Sequence, residues 1–171
     1  GTYDNCTISV TSSSDVVSDN LSVSSFKIDT TAPTLDNVTI VSNNDVTTLA
    51  KTDDIITLTF TPAETIKTPS VSIAGHTAET LNASGSSWIA TYTMKSTDSD
   101  NLTVSLNVSF SDLADNAGDN VTTSSDGSAV FFDRTPPKVN EETAVPNPTN
   151  DNTPSYTFTS NDAGTITYGG S

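Results

Sequence analysis

One stretch of this sequence occurs twice, and the distance between its copies limits the fold to a few possibilities. Phe26-Lys27-Ile28-Asp29-Thr30-Thr31-Ala32-Pro33 returns as Val130-Phe131-Phe132-Asp133-Arg134-Thr135-Pro136-Pro137, an offset of 104. Upstream, Asp15…Asp19-Asn20 returns as Asp115…Asp119-Asn120, an offset of 100, so a loop differs in length by four residues. A period near 100 is too long for a solenoid and suits a string of small domains. The prolines punctuate that string: they end a last strand and stiffen the link to the next domain. Three pieces are expected. Residues 1–32 are the C-terminal strands of one domain, 33–135 a complete domain, and 136–171 the N-terminal strands of a further one.

Within the complete piece the hydrophobic pattern has period two, the signature of strands with one buried face. Residues 55–61 place Ile56, Leu58 and Phe60 together. Residues 88–94 do the same for Trp88, Ala90, Tyr92 and Met94, and residues 102–110 for Leu102, Val104, Leu106, Val108 and Phe110. Shorter runs at 38–41, 71–73 and 129–132 bring the count to six or seven strands. That number over ~100 residues matches an all-β sandwich. Trp88 is read as a core residue and Gly75-His76 as a hairpin turn.

The charge narrows the partners. There are 21 acidic against 6 basic residues, a net charge of -15, and 17 of the acids are Asp. Aspartate favours turns and metal-binding loops over helices. Nucleic-acid binding needs a basic face, and anionic membranes attract cations, so neither is expected. No run approaches the ~20 apolar residues of a membrane span, and no membrane insertion is expected. Catalysis is not expected either: His76 is the single histidine, and no acid stands beside it in sequence. The Asp53-Asp54 and Asp98…Asp100 pairs read as solvated loop charge.

The residues of 33–135 resemble the bacterial immunoglobulin-like repeats found in tandem in very large surface adhesins and other extracellular repeat proteins. The stretches that carry the likeness are Ile55-Ile56-Thr57-Leu58-Thr59-Phe60, Val71-Ser72-Ile73-Ala74-Gly75-His76-Thr77-Ala78, Trp88-Ile89-Ala90-Thr91-Tyr92-Thr93-Met94 and Phe110-Ser111-Asp112-Leu113-Ala114-Asp115-Asn116-Ala117-Gly118. Phe132-Asp133-Arg134-Thr135-Pro136-Pro137 looks like the family's D-x-T-x-P linker. The end pieces resemble a second repeat type of such arrays. Thr149-Asn150-Asp151-Asn152-Thr153-Pro154 and Ala163-Gly164-Thr165-Ile166-Thr167-Tyr168-Gly169-Gly170-Ser171 look like its beginning, and Gly1-Thr2-Tyr3-Asp4-Asn5-Cys6-Thr7-Ile8-Ser9-Val10 like its end. The resemblance implies immunoglobulin-like Greek-key sandwiches in a tandem array at an extracellular or bacterial cell-surface location. It also implies a disulfide for Cys6, with its partner beyond Ser171 or in another copy.

Calcium is the cofactor the acidic loops suggest, since it takes six to eight oxygens, several from carboxylates. Asp112, Asp115 and Asn116 form the candidate loop, and the linker Asp133 is expected beside it. Asp36 and Asp151 are further candidates near the linkers. In the first piece the equivalent stretch, Ser12-Ser13-Ser14-Asp15-Val16-Val17, lacks the leading Asp and the Gly. The expected function is a spacer or stalk, with calcium stiffening the domain junctions and neighbouring repeats of the same or an adjacent chain as partners. The alternatives are a module binding glycans or host surface proteins, and a filament subunit whose end pieces complete one another between copies.

Overall fold

The structure, a computed structural model, describes residues 1–84 and 87–169. Gly170 and Ser171, which close the Tyr168-Gly169-Gly170-Ser171 stretch, lie outside the described residues. The protein is all-β, and no helix occurs among the described residues. The chain forms two compact units, Gly1–Asp133 and Arg134–Ser171.

The first unit begins with four two-residue strands, β1 (Thr2–Tyr3), β2 (Thr7–Ile8), β3 (Leu21–Ser22) and β4 (Phe26–Lys27). They form one long hairpin, with β1 on β4 and β2 on β3. Then follow β5 (Leu35–Ser42), β6 (Leu49–Ala50), β7 (Ile55–Pro62), β8 (Ser70–Ile73) and β9 (His76–Thr77). The unit continues with β10 (Glu79–Ser84), β11 (Ser87–Thr93), β12 (Leu102–Thr103), β13 (Leu106–Ser109) and β14 (Phe131–Phe132). The second unit holds β15 (Val139–Thr143) and β16 (Thr157–Ser160), an antiparallel pair.

Three sheets enclose one core, in the orders β10-β11-β7-β5, β13-β8-β9 and β12-β14-β6. Period-two alternation builds it. Ile56, Leu58 and Phe60 point inward from the central strand β7 and are fully buried, and Trp88, Ala90, Tyr92 and Met94 are buried along and just after β11. The run expected over 102–110 is not one strand. Leu102 and Thr103 pair with Phe132 and Phe131, whereas residues 106–109 pair with β8. The chain crosses between two sheets at Val104, and Leu102 is left exposed. The hairpin turn also shifts by one residue. Ala74 and Gly75 are its two central residues, both at positive φ, and His76 is already in β9 opposite Ile73. Two such residues give the turn whose twist matches that of paired strands.

Every residue of the core cluster lies between Val38 and Phe132. In residues 1–32 only Cys6, Val23 and Asp29 are half-buried and the rest are exposed. Among the described residues of the second unit, none is buried.

The backbone repeats as the sequence does. The bridges Thr11↔Val17 and Ser111↔Ala117 are equivalent, as are the pairs Ile8↔Leu21 and Val108↔Val121. Ser18 N–H donates to Val10 O and Gly118 N–H to Phe110 O. Asp15 and Asp115 both take positive φ. The segment that opens at Thr34 recurs too. Leu35↔Pro62 and Asp36↔Thr61 correspond to Val139↔Ser160 and Asn140↔Thr159. Beyond each, Ala63 N–H donates to Thr34 O and Asn161 N–H to Lys138 O.

Candidate functional site

The loop after β13 is shaped by Asp112. Its Oδ1 accepts from the backbone N–H of Ala114 and Asn116 at 2.9 and 2.8 Å, and its Oδ2 from the Asn116 side chain at 2.8 Å. A short polar side chain that binds backbone donors just ahead closes a tight turn, which lets Asp115 adopt its positive φ. Asp112 is buried. The hydrogen bond from the Asn116 side chain outweighs the effect of burial and, with the backbone donors, holds its carboxyl below the ordinary aspartate value. The loop is anchored to the segment after β7 by the Ile66↔Asp112 bridge and by Lys67 N–H donating to Ser111 O. The Lys67 ammonium pairs with Asp115.

This loop grips the preceding linker. Asn116 Nδ2, besides bonding Asp112, donates to the backbone carbonyl of Asp29 at 3.1 Å, across 87 residues of sequence. Asp29 is held by its own neighbours. Its carboxylate accepts from Lys27 Nζ at 2.7 Å and from Thr31 N–H at 3.3 Å. The Lys27 hydrogen bond, then that of Thr31, holds its carboxyl below the ordinary aspartate pKa. One carboxylate oxygen from each of Asp29, Glu64 and Asp112 falls within 4.8 Å of the others. These three residues, with Lys27, line an open groove at this end of the domain. The groove could take a cation, though Asp112 already accepts three hydrogen bonds and Lys27 already neutralises Asp29.

The candidate residues named from sequence separate into four places. Asp112, Asp115 and Asn116 share the loop. The linker aspartate beside them is Asp29 and not Asp133. Leu35 pairs with Pro62 at one end of β7, whereas Asp133 N–H donates to Ala50 O, five residues before the other end. Eight strand residues separate those ends, roughly 25 Å. Asp36 is exposed on β5 opposite Thr61. Asp151, in the second unit, holds a turn by accepting from the Thr153 N–H and hydroxyl at 2.9 and 3.2 Å. Asp29 carried a usable signal, since it heads the first copy of the D-x-T-x-P stretch as Asp133 heads the second. Glu64 had none.

The expectation of solvated charge fails at Asp54 and Asp98, which are both buried. Asp98 accepts from Lys95 N–H at 2.8 Å and from the Tyr92 hydroxyl at 3.1 and 3.2 Å. His76 Nε2 lies 3.1 Å from its Oδ1. The His76 ring stacks on Tyr92, with centroids 5.1 Å apart. The acid partner that His76 lacks in sequence is thus supplied by the fold, and the arrangement pins the β8–β9 hairpin to the loop after β11. Burial first, and then the hydrogen bond to Asp98, raises the Tyr92 hydroxyl above its ordinary value.

No family model matches the chain, and neither a curated protein nor a solved structure matches it.

Proposed function

We propose that this chain is a structural, non-catalytic segment of a secreted or cell-surface bacterial protein, an adhesin or extracellular fibre, in which it acts as a spacer. On this reading residues 33–135 form an immunoglobulin-like Greek-key sandwich within a tandem array. The observation that carries the reading is the recurrence of one hairpin loop 100 residues apart, with the same bridges, the same Ser18/Gly118 hydrogen bond and the same positive φ at Asp15 and Asp115. A spacer needs identical modules joined by stiff junctions, and the Asn116 hold on the Asp29 carbonyl supplies a junction of that kind.

The direction of pull supports the same reading. The chain enters the domain at the Pro62 end of β7 and leaves beside Ala50 near the other. Tension would therefore run along the strands. It would load many hydrogen bonds together rather than open them one at a time. The last strand, β14, runs parallel to β6, with Phe131 N–H on Thr48 O at 2.8 Å and Asp133 N–H on Ala50 O at 2.9 Å.

Single-molecule stretching of the full chain tests the reading. Residues 33–133 should unfold in one step of roughly 300 Å, from about 100 residues at ~3.3–3.6 Å each less the folded length. Gradual lengthening at low force would sink it. Calcium stays within the proposal as a ligand of Asp29, Glu64 and Asp112. Added calcium should raise the unfolding temperature, and Glu64→Gln should remove most of the rise. No rise in the wild-type chain would take the ion out and leave the Asn116 contact to hold the junction.

A further inference from the structure

We propose that the small cleft between the loop after β11 and residues 102–105 binds the side chain of a lysine presented by a basic partner, with the buried carboxylate of Asp98 taking its ammonium group. The cleft lies wholly within residues 74–132. A spacer does not need such a site, so the two readings stand or fall separately.

One turn occurs twice in this domain. Lys51-Thr52-Asp53-Asp54 and Lys95-Ser96-Thr97-Asp98 both close with the aspartate N–H on the lysine carbonyl, at 3.1 and 3.0 Å. In both, the lysine N–H donates to the aspartate carboxylate, at 2.9 and 2.8 Å. Both aspartates are buried. In the first turn the lysine also brings its ammonium back to the carboxylate, 2.6 Å from Asp54 Oδ1. In the second it does not: Lys95 Nζ stands over the Tyr92 ring, 5.6 Å from its centroid. The contacts of Asp98 are instead the Lys95 N–H, one Tyr92 hydroxyl shared between both oxygens, and His76 Nε2. No lysine among the described residues pairs with it. A carboxylate accepts about four hydrogen bonds, and a buried one is ordinarily balanced by a cation.

Asp98 lines a cleft of about 190 Å³ that opens where the chain passes from one sheet to another at Val104. The cleft's apolar walls are Met94, Val104 and Phe132, all buried, together with the more exposed Ala74 and Leu102. Sites for whole small molecules hold ~300–1,000 Å³, so this one suits a single side chain. Apolar walls fit an alkyl stem and a carboxylate fits its charged head, which is the division within a lysine side chain. Arginine is the poorer match, because its planar fork asks for two free acceptor oxygens side by side. Here the Tyr92 hydroxyl bonds both oxygens and the Lys95 N–H one of them. The net charge of -15 draws basic partners to the chain and repels acidic ones.

NMR titration of the full chain with Nα-acetyl-lysine N-methylamide tests this, at ~150 mM salt to screen the exposed acids. The uncharged norleucine analogue and free butylamine serve as controls. The capped lysine should shift the Met94 and Leu102 methyl signals along one saturable curve, and the norleucine analogue should bind about tenfold more weakly or worse. Asp98→Asn should lose affinity by a similar factor. Ser105→Leu changes an exposed residue that also lines the cleft. It should lose as much with an unchanged melt, and it decides the matter where Asp98→Asn fails to fold. Shifts spread over the acidic loops with no saturation at Met94 overturn the proposal. So does equal affinity for the norleucine analogue, or full affinity in Ser105→Leu or in a folded Asp98→Asn chain. Tighter binding of butylamine than of the capped lysine overturns it too, since the ligand would then be a free amine. None of these results touches the stretching experiment that tests the spacer.

Discussion

A carboxylate is kept in a protein interior by its donors, because burial without them costs several kcal/mol. Asp54 meets that condition through Asn44 Nδ2 at 2.8 Å, Lys51 N–H at 2.9 Å and Lys51 Nζ at 2.6 Å. Burial pushes its carboxyl up, and the hydrogen bonds from Asn44 and Lys51 overcome the push and hold it below the ordinary aspartate value. Asp54→Ala should therefore cost on the order of 2 kcal/mol of stability in a denaturant melt at neutral pH. The pH dependence follows from the depressed value. The stabilisation is complete above about pH 4 and is lost as pH falls through the lower folded-state value. The gap in melting temperature between wild type and Asp54→Asn should narrow from pH 7 to pH 3. An unchanged gap would show that the charge is immaterial. At Asp98, Tyr92→Phe removes one of its donors and should cost about 1 kcal/mol. These aspartates were misjudged from sequence because nothing in a D-D or D-S-D pair shows which member turns inward. The signal lay upstream of each pair: Asp54 and Asp98 both accept the backbone N–H of a lysine three residues before them, Lys51 and Lys95.

Strands were the most legible elements, since alternation states both their existence and their inward face. β7 and β11 follow the pattern residue by residue. The break between β12 and β13 was invisible, because a chain that passes from one sheet to another keeps its alternation. β10 was missed for the opposite reason: Glu79-Thr80-Leu81-Asn82-Ala83-Ser84 has a single large apolar residue, and its place comes from pairing with β11. Two turn positions give tests at this scale. Gly118→Ala forces a Cβ against Phe110 and the Pro33 carbonyl, and should cost about 1–3 kcal/mol. Ala74 carries its Cβ at a φ of 53°. Ala74→Gly relieves a strain of about 1–2 kcal/mol and returns about 0.5–1 in chain entropy, so it should leave the melting temperature unchanged or slightly higher. A clear loss of stability would show that the Ala74 methyl is needed for packing.

For the molecule as a whole, the internal repeat was the best guide to organisation, and the same repeat explains why the site was only half found. It pointed to linker aspartates in general. It could not say which end of the domain each linker meets, because that depends on the parity of strand crossings. The duplication also allows a controlled comparison inside one chain. The Ser18 and Gly118 amides make the same hydrogen bond in the same hairpin. Gly118 should exchange its hydrogen only on global unfolding, while Ser18 exchanges through local opening, orders of magnitude faster. Equal rates would mean that cover contributes nothing.

The pairing of β14 with β6 also has a consequence for synthesis. Residues 49 and 50 leave the ribosome some 80 residues before their partners Phe131 and Phe132. At ~5–20 residues per second, β5 to β7 wait several seconds for the strand that closes them. During that time a growing chain holds open strands beside a finished hairpin with the same backbone. Misassembly between neighbouring units is a characteristic failure of repeat proteins.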